Sequence, residues 1–170
     1  MNVIIETARL TVRPFTLDDA PFIVRLLNEP SFIEHIADMG VRTLDDARNY
    51  LRDRPMASYT QHGFGLWRVG LKESDTPIGM AGLLSRETLD NIDLGYAFLS
   101  AYFGKGYAFE VTSAIMTYAR VQLGYRKVVA VVHANNEPSI RLLRKLGFNY
   151  ERMVRLADDQ EEIQLFVAVG

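Results

Sequence analysis

The sequence Asp93-Leu-Gly-Tyr-Ala-Phe-Leu-Ser-Ala-Tyr-Phe-Gly-Lys-Gly-Tyr-Ala108 decides the fold of this chain. Its first half has the composition of a strand, and an amphipathic run follows the stretch as far as Arg120. Between the two lie Gly104 and Gly106, which let the backbone turn sharply and approach a ligand closely. The exposed N–H groups at a helix N-terminus bind phosphate readily. We therefore predict a strand, a glycine-rich turn and a helix that together bind a phosphate group.

Hydrophobic periodicity predicts the elements on either side of this stretch. Before it we expect a strand at 8–13, a helix ending near Asn28, a helix at 44–61 bent near Pro55, and strands at 64–71 and 78–85. After it we expect a strand at 127–132, a helix from Asn136 to about Leu146, and strands at 148–156 and 161–169. The order βααβββαβαββ predicts an α/β fold of mixed (α+β) type, with one mixed sheet and helices on both faces.

The bulk composition is that of an ordinary globular protein. The chain has 170 residues, 48% of them hydrophobic, and a formal net charge of −2, so we expect one domain over 1–170 and no nucleic-acid partner. It contains no cysteine, which excludes disulfides and thiol nucleophiles and is compatible with the cytoplasm. No apolar run approaches the roughly 20 residues that span a membrane. The three histidines have no metal-binding spacing, and we expect no metal.

Three kinds of phosphate site compete for the glycine turn. A dinucleotide fingerprint needs a third glycine where this chain has Phe109, and a Walker loop needs Ser or Thr after the lysine, where Lys105 is followed by Gly106. Both readings are therefore weakened. The pyrophosphate of coenzyme A remains as a ligand, beside the alternative of a plain tight turn that binds nothing.

A second motif favours coenzyme A. It runs from Asn136-Glu-Pro-Ser139 to Gly147-Phe148, one helix and one strand after the glycine turn. Together with Gly104-Lys-Gly-Tyr-Ala108, this chain resembles the GNAT superfamily of N-acetyltransferases, and within it the RimJ/RimL-like subgroup. The resemblance extends in order over nearly the whole chain, through Thr7-Ala-Arg-Leu-Thr-Val-Arg-Pro14, Ile78-Gly79 and Asp93-Leu-Gly-Tyr96.

The resemblance implies that acetyl-CoA is the cofactor and acetyl donor. In this fold the central sheet splays between two strands, here 93–99 and 127–132, and the pantetheine arm pairs with the first one near Phe98 and Leu99. Phe103 occupies a position that is polar in much of the superfamily, which leaves backbone N–H donors unaffected. The implied pyrophosphate site consists of Gly104, Lys105, Gly106, Tyr107, Ala108 and Phe109.

The resemblance also assigns a proton donor for the departing thiol. Leu143 stands where many superfamily members have a tyrosine, and the subgroup uses the serine of the Asn-x-x-Ser motif instead, which is Ser139 here. Asn136 is expected to cap the helix and to bind the cofactor. The alternative role for Ser139 is to cap the backbone in the first turn of that helix.

Asp93 is the predicted general base for the attacking amine. It shares a strand face with Gly95 and Ala97, where we expect room for a ligand. The subgroup commonly has Glu here, and the shorter Asp favours proton transfer through a water. Glu87 is the second candidate, and a solvated acid at a strand end is the alternative for Asp93.

These features predict an N-acetyltransferase whose acceptor, a peptide or small-molecule primary amine, attacks the thioester directly in a ternary complex. No nucleophilic triad is present, and the alternative class is an acyl-CoA-binding or sensing module without activity. A homodimer is expected from the family. The candidate acceptor pocket consists of Phe32, Glu87, Trp67 and Tyr96.

Overall fold

A computed structural model describes residues 2–170, which form eight strands and six α-helices. The strands are β1 (Ile5–Glu6), β2 (Leu10–Arg13), β3 (Leu66–Leu71), β4 (Pro77–Leu84), β5 (Asp93–Phe98), β6 (Lys127–Val132), β7 (Asn149–Val154) and β8 (Ile163–Val169). The helices are α1 (Ala20–Leu27), α2 (Pro30–His35), α3 (Leu44–Leu51), α4 (Ala57–His62), α5 (Tyr107–Val121) and α6 (Glu137–Lys145). Within the described residues, each helix is too short or too polar to cross a membrane.

All eight strands belong to one sheet in the order β1-β2-β3-β4-β5-β6-β8-β7. The neighbours β5 and β6 run parallel, and every other neighbouring pair is antiparallel. Among residues 2–170, Asp93 and Val129 are the one aligned pair between β5 and β6, and the Val129 N–H donates to the Ile92 carbonyl at 2.9 Å. The sheet therefore opens between these strands beyond Asp93, as the resemblance implies.

Helices cover both faces of the sheet. Helices α5 and α6 pack on one face through Val111, Ile115 and Leu143, and α1, α2 and α3 pack on the other with Met80 and Ala97. Along β5, Leu94 and Phe98 belong to the first of these clusters and Ala97 to the second, so successive residues alternate between the faces. The predicted mixed sheet with helices on both faces is confirmed.

Local signals account for most element ends. Thr43 and Asp46 form a capping box at the start of α3, with hydrogen bonds of 3.1 Å in each direction. The predicted bend near Pro55 is a π-helical turn, Arg52–Met56, which joins α3 to α4. Three features are absent from the predicted order: the short strand β1, the helix α2, and the placement of β8 between β6 and β7.

Candidate active site

The edge of β5 that faces β6 is open beyond Asp93. Main-chain groups of a strand alternate between its two edges. The Ile92 carbonyl accepts from Val129 on β6, so Tyr96 and Phe98, which lie beyond the Asp93–Val129 pair, direct their main-chain groups to the open edge. Within the described residues, the main-chain groups of Phe98 are therefore unpaired toward β6, and its role in binding the pantetheine arm stays a prediction. The prediction for Leu99 is wrong, because its N–H donates to the Ile78 carbonyl on β4 at 2.9 Å and its carbonyl accepts from Tyr102 at 3.0 Å.

The glycine turn directs backbone donors outward at the end of this edge. Gly104 has φ of 73° and Gly106, the N-cap of α5, has φ of 81°, a left-handed conformation that costs other residues more than glycine. The Glu110 N–H bonds to the Gly106 carbonyl at 3.1 Å, so the N–H groups of 107–109 precede the first turn of helical hydrogen bonds. Phe103 is 54% exposed beside the turn. These backbone groups suit a phosphate ligand.

Two side chains from the β1–β2 connection fix the start of α5. The Glu110 carboxylate accepts from the Arg9 Nε at 2.7 Å, from the Arg9 backbone N–H at 2.9 Å and from the Thr7 hydroxyl at 2.6 Å. Arg9 also donates to the Lys105 carbonyl at 3.1 Å, and its guanidinium lies 4.4 Å from the Tyr107 ring centroid. The sequence motif containing Thr7 and Arg9 is part of the family resemblance, but nothing in it indicated Glu110 as the partner.

A cation from α6 also lies near the turn. The Lys145 ammonium is 4.1 Å from the centroid of the Phe109 ring, which joins the end of α6 to the first turn of α5. The Lys105 side chain is exposed. On the other side, the Glu29 carboxylate accepts from the Ser100 N–H at 2.9 Å and so links α2 to the turn after β5. Sequence reasoning missed both Lys145 and Glu29.

Ser139 lies beside β5, where it meets a tyrosine. Its hydroxyl is 2.5 Å from the phenol oxygen of Tyr96, and either oxygen is able to donate. Burial raises the pKa of Tyr96 to about 12, against a smaller lowering by the hydrogen bond to Ser139. Asn136 caps α6 as predicted, since its Oδ1 accepts from the Ser139 N–H at 3.4 Å. Tyr96, predicted for the acceptor pocket, thus contacts the predicted proton donor.

Asp93 lies on the opposite face of β5 and is 1% exposed. The Arg86 Nε is 3.2 Å from each of its carboxylate oxygens. Burial raises the pKa of Asp93 to about 6, although the Arg86 cation and its hydrogen bond act in the lowering direction. The prediction of space for a ligand beside Gly95 is wrong, because a Cβ there would lie 3.1 Å from Leu84 and 3.2 Å from Leu66. Sequence reasoning also missed Arg86.

Of the other predicted pocket residues, two lie in the core and one lies on an exposed loop. Trp67 is 1% exposed and packs edge-on against Tyr118 in the core beneath α5, so its assignment to the pocket is wrong. Phe32 is 5% exposed and packs among α1, α2 and α3, where it is a core residue too. Glu87 is exposed on the loop after β4, which leaves it available to a ligand.

The described residues fit a coenzyme A-type ligand that lies along β5 and ends at the glycine turn. An extended arm suits the unpaired edge of β5, and an anionic group suits the N–H donors of the glycine turn. The Tyr96–Ser139 pair and the buried carboxylate of Asp93 lie along the same strand, on opposite faces. One strand therefore joins a binding edge, a hydroxyl pair and a basic group.

Comparisons with known proteins agree with this geometry. A family model described as an acetyltransferase (GNAT) domain matches residues 9–149. YoaA of Bacillus subtilis (strain 168), described as an uncharacterized N-acetyltransferase, is 28% identical over 157 residues, which are 91% of this chain and 88% of YoaA.

Two solved structures show the likeness of fold. RimL, the ribosomal L7/L12 α-N-protein acetyltransferase in complex with coenzyme A, has a TM-score of 0.84 at 15% identity, covering 99% of this chain and 98% of that one. MccE, the microcin C7 self-immunity acetyltransferase in complex with acetyl-CoA and AMP, has a TM-score of 0.80 at 15% identity, covering 95% of this chain and 93% of that one.

Proposed function

This chain belongs to the GNAT acetyltransferase family, which uses acetyl-CoA, and on that premise we propose that it acetylates a primary amine by direct attack within a ternary complex. One observation carries the proposal. The open edge of β5 lies between a buried carboxylate on one face, Asp93, and a hydroxyl pair on the other, Tyr96 and Ser139. An amine deprotonated on one face attacks the thioester at the edge, and the thiolate departs toward the other.

Asp93 accepts the proton of the amine through a water. A base with a pKa of about 6 lies about 2 pH units below an α-amine of pKa about 8, and more than 4 below a lysine of pKa about 10.4. At 1.36 kcal/mol for each pH unit, the lysine needs about 3 kcal/mol more. The proposed acceptor is therefore an α-amine, in a peptide N-terminus or a small molecule, in preference to a lysine side chain.

Main-chain donors stabilise the charge that develops on the carbonyl oxygen. The N–H groups of Tyr96 and Phe98 face the open edge, where one of them serves as the oxyanion donor. Ser139 protonates the departing thiolate, and Asn136 holds Ser139 at the start of α6. The N–H groups from Gly104 to Phe109 bind the pyrophosphate.

The family resemblance supports assignment of this chain to a subgroup of the family. We infer membership of the RimJ/RimL-like subgroup, with residues 1–170 acting as one domain, since the match to RimL covers 99% of this chain. The cytoplasmic location and the homodimer belong to the same proposal, and size-exclusion chromatography with light scattering tests the dimer.

A thiol-release assay with acetyl-CoA tests the proposed function. The acceptor set contains peptides with a free N-terminus, the same peptides N-blocked but carrying lysine, polyamines, amino acids and aminoglycosides. We expect turnover with at least one α-amine and little with the blocked lysine peptides. Tight binding of coenzyme A without thiol release on any amine contradicts the proposal, and faster turnover of the lysine peptides contradicts the preference for α-amines.

A further inference from the structure

The phenol of Tyr96 contacts the hydroxyl of Ser139 on the face of β5 that α6 covers. The two oxygens are 2.5 Å apart, although the residues are 43 positions apart in the sequence. Tyr96 packs against the core beneath α5 and α6, while Ser139 is half-buried in the first turn of α6. A hydrogen bond between two hydroxyl groups gives a proton a direct path from one to the other.

We propose that Tyr96 is the proton source for the departing thiolate and acts through Ser139. This inference rests on the proposed acetyl transfer and assigns to Tyr96 a role in it that is separate from acceptor binding. Ser139 is the group that contacts the leaving sulfur, and Tyr96 is the positioning residue that aligns its hydroxyl and restores its proton.

The proton movements balance without an added reagent. As the carbon–sulfur bond breaks, the sulfur keeps the bonding electrons and takes the proton of the Ser139 hydroxyl. The Ser139 oxygen takes the phenolic proton of Tyr96 in the same step. Water then reprotonates the tyrosinate, and the proton taken from the amine through Asp93 returns to solvent. The products are free coenzyme A thiol and the acetylated amine.

The chemistry of the two hydroxyls favours this order. An aliphatic alcohol is a far weaker acid than a thiol of ordinary pKa about 8.5, so Ser139 alone would transfer its proton steeply uphill. A phenol, with an ordinary pKa of about 10, is the stronger acid of the pair. Burial raises the pKa of Tyr96 to about 12, so the phenol is protonated at neutral pH and is still a stronger acid than the Ser139 hydroxyl.

The position of Ser139 also assists the transfer. It lies in the first turn of α6, where the helix N-terminus stabilises developing negative charge. The main chain of Tyr96 faces the open edge of β5 while its side chain reaches Ser139 on the α6 side. The phenol is thereby held by the same strand that receives the arm of the acetyl donor.

A Tyr96→Phe variant tests the relay, because it removes one oxygen and keeps the packing ring. We expect kcat to fall at least about tenfold, within the range of general-acid effects, while the Kd for coenzyme A stays unchanged. Tyr118→Phe is the matched control. Tyr118 packs against Trp67 in the core, and its variant is expected to have the kcat of the wild type.

A double-mutant cycle with Ser139→Ala separates a relay from two independent roles. If Tyr96 acts through Ser139, the Tyr96→Phe substitution has no further effect on kcat once Ser139 is alanine. Equal losses in both backgrounds overturn the relay, as does an unchanged kcat in Tyr96→Phe. Failure of the wild type to release thiol with any amine overturns the proposed function instead, so the two failures are distinguishable.

A readout independent of turnover checks the hydrogen bond itself. In protein labelled with ¹³C at the tyrosine Cζ, the Tyr96 resonance is the one missing from Tyr96→Phe. We expect Ser139→Ala to shift this resonance, because the phenol loses its partner. Arg144→Ala, an exposed change on the same helix, should leave it in place. A Tyr96 resonance that does not respond to Ser139→Ala overturns the pairing on which the relay depends.

Discussion

The two faces of β5 each carry a pair of polar side chains, and the two pairs differ in charge. On one face the buried carboxylate of Asp93 is paired with the Arg86 guanidinium, and on the other Tyr96 and Ser139 form a neutral hydroxyl pair. Burial raises the pKa of Asp93 to about 6 and that of Tyr96 to about 12. The Asp93 carboxyl therefore changes its protonation state near pH 6, and the Tyr96 phenol stays protonated at neutral pH.

This difference fits opposite tasks on one strand. A group that must accept a proton has to be deprotonated before the reaction, and a group that must donate one has to remain protonated. Burial of the two side chains favours both states, because it disfavours the charged form of either acid. The ordinary pKa values of a carboxyl and a phenol then separate the two roles.

Asp93→Asn is the substitution expected to have the largest effect. It preserves the shape of the side chain and removes the base, so we expect kcat to fall about 10²- to 10⁴-fold. The wild-type kcat/KM should also decline as pH falls below about 6, where Asp93 becomes protonated, and the variant should lack this decline. Initial rates of thiol release from pH 5 to pH 9 measure both effects.

Asp90→Asn is the matched control, since Asp90 is an exposed acid in the loop before β5. It should retain the wild-type rate and pH profile. If Asp93→Asn keeps the wild-type kcat at neutral pH, Asp93 is a structural partner of Arg86 and the two faces of β5 do not divide the chemistry.

The second prediction concerns stability. An acid whose pKa is higher in the folded state binds more protons folded than unfolded between the two pKa values. The contribution of Asp93 to the free energy of unfolding is therefore greatest below about pH 4 and falls by about 3 kcal/mol as pH rises through about 6. Urea unfolding at intervals from pH 4 to pH 7 measures it as the difference between wild type and Asp93→Asn. A difference that does not vary with pH contradicts the raised pKa.

Local sequence signals were sufficient for the backbone part of the site. Two glycines followed by an amphipathic run predict a turn and a helix, because each signal acts within a few residues. The N-cap of Asn136 and the bend near Pro55 were predicted for the same reason. The phosphate turn depends on backbone groups. It was therefore predictable even though Phe103 occupies a position that is polar in much of the superfamily.

The same local signals do not predict which side chains contact one another across the fold. The Tyr96–Ser139 bond joins α6 to β5 across 43 positions, and it forms because β6 lies parallel to β5 and returns the chain to that face. The error at Leu99 has a similar origin, since which edge its N–H faces depends on the register with β4. Trp67 was misplaced because a strand pattern does not show which face of β3 packs beneath α5.

The third and smallest expected effect is a shift of the pH profile in Arg86→Gln. Arg86 lowers the pKa of Asp93 by its charge and its hydrogen bond, so its removal raises that pKa above about 6. We expect the acidic decline of kcat/KM to move up by about one pH unit, a roughly fivefold loss at pH 6 that approaches about tenfold at lower pH and disappears by about pH 8. Arg48→Gln, which breaks an exposed ion pair with Asp45 on α3, is the control. A loss of equal size at every pH would instead mean that Arg86 contacts the acceptor, and the charged face of β5 would then bind substrate as well as take its proton.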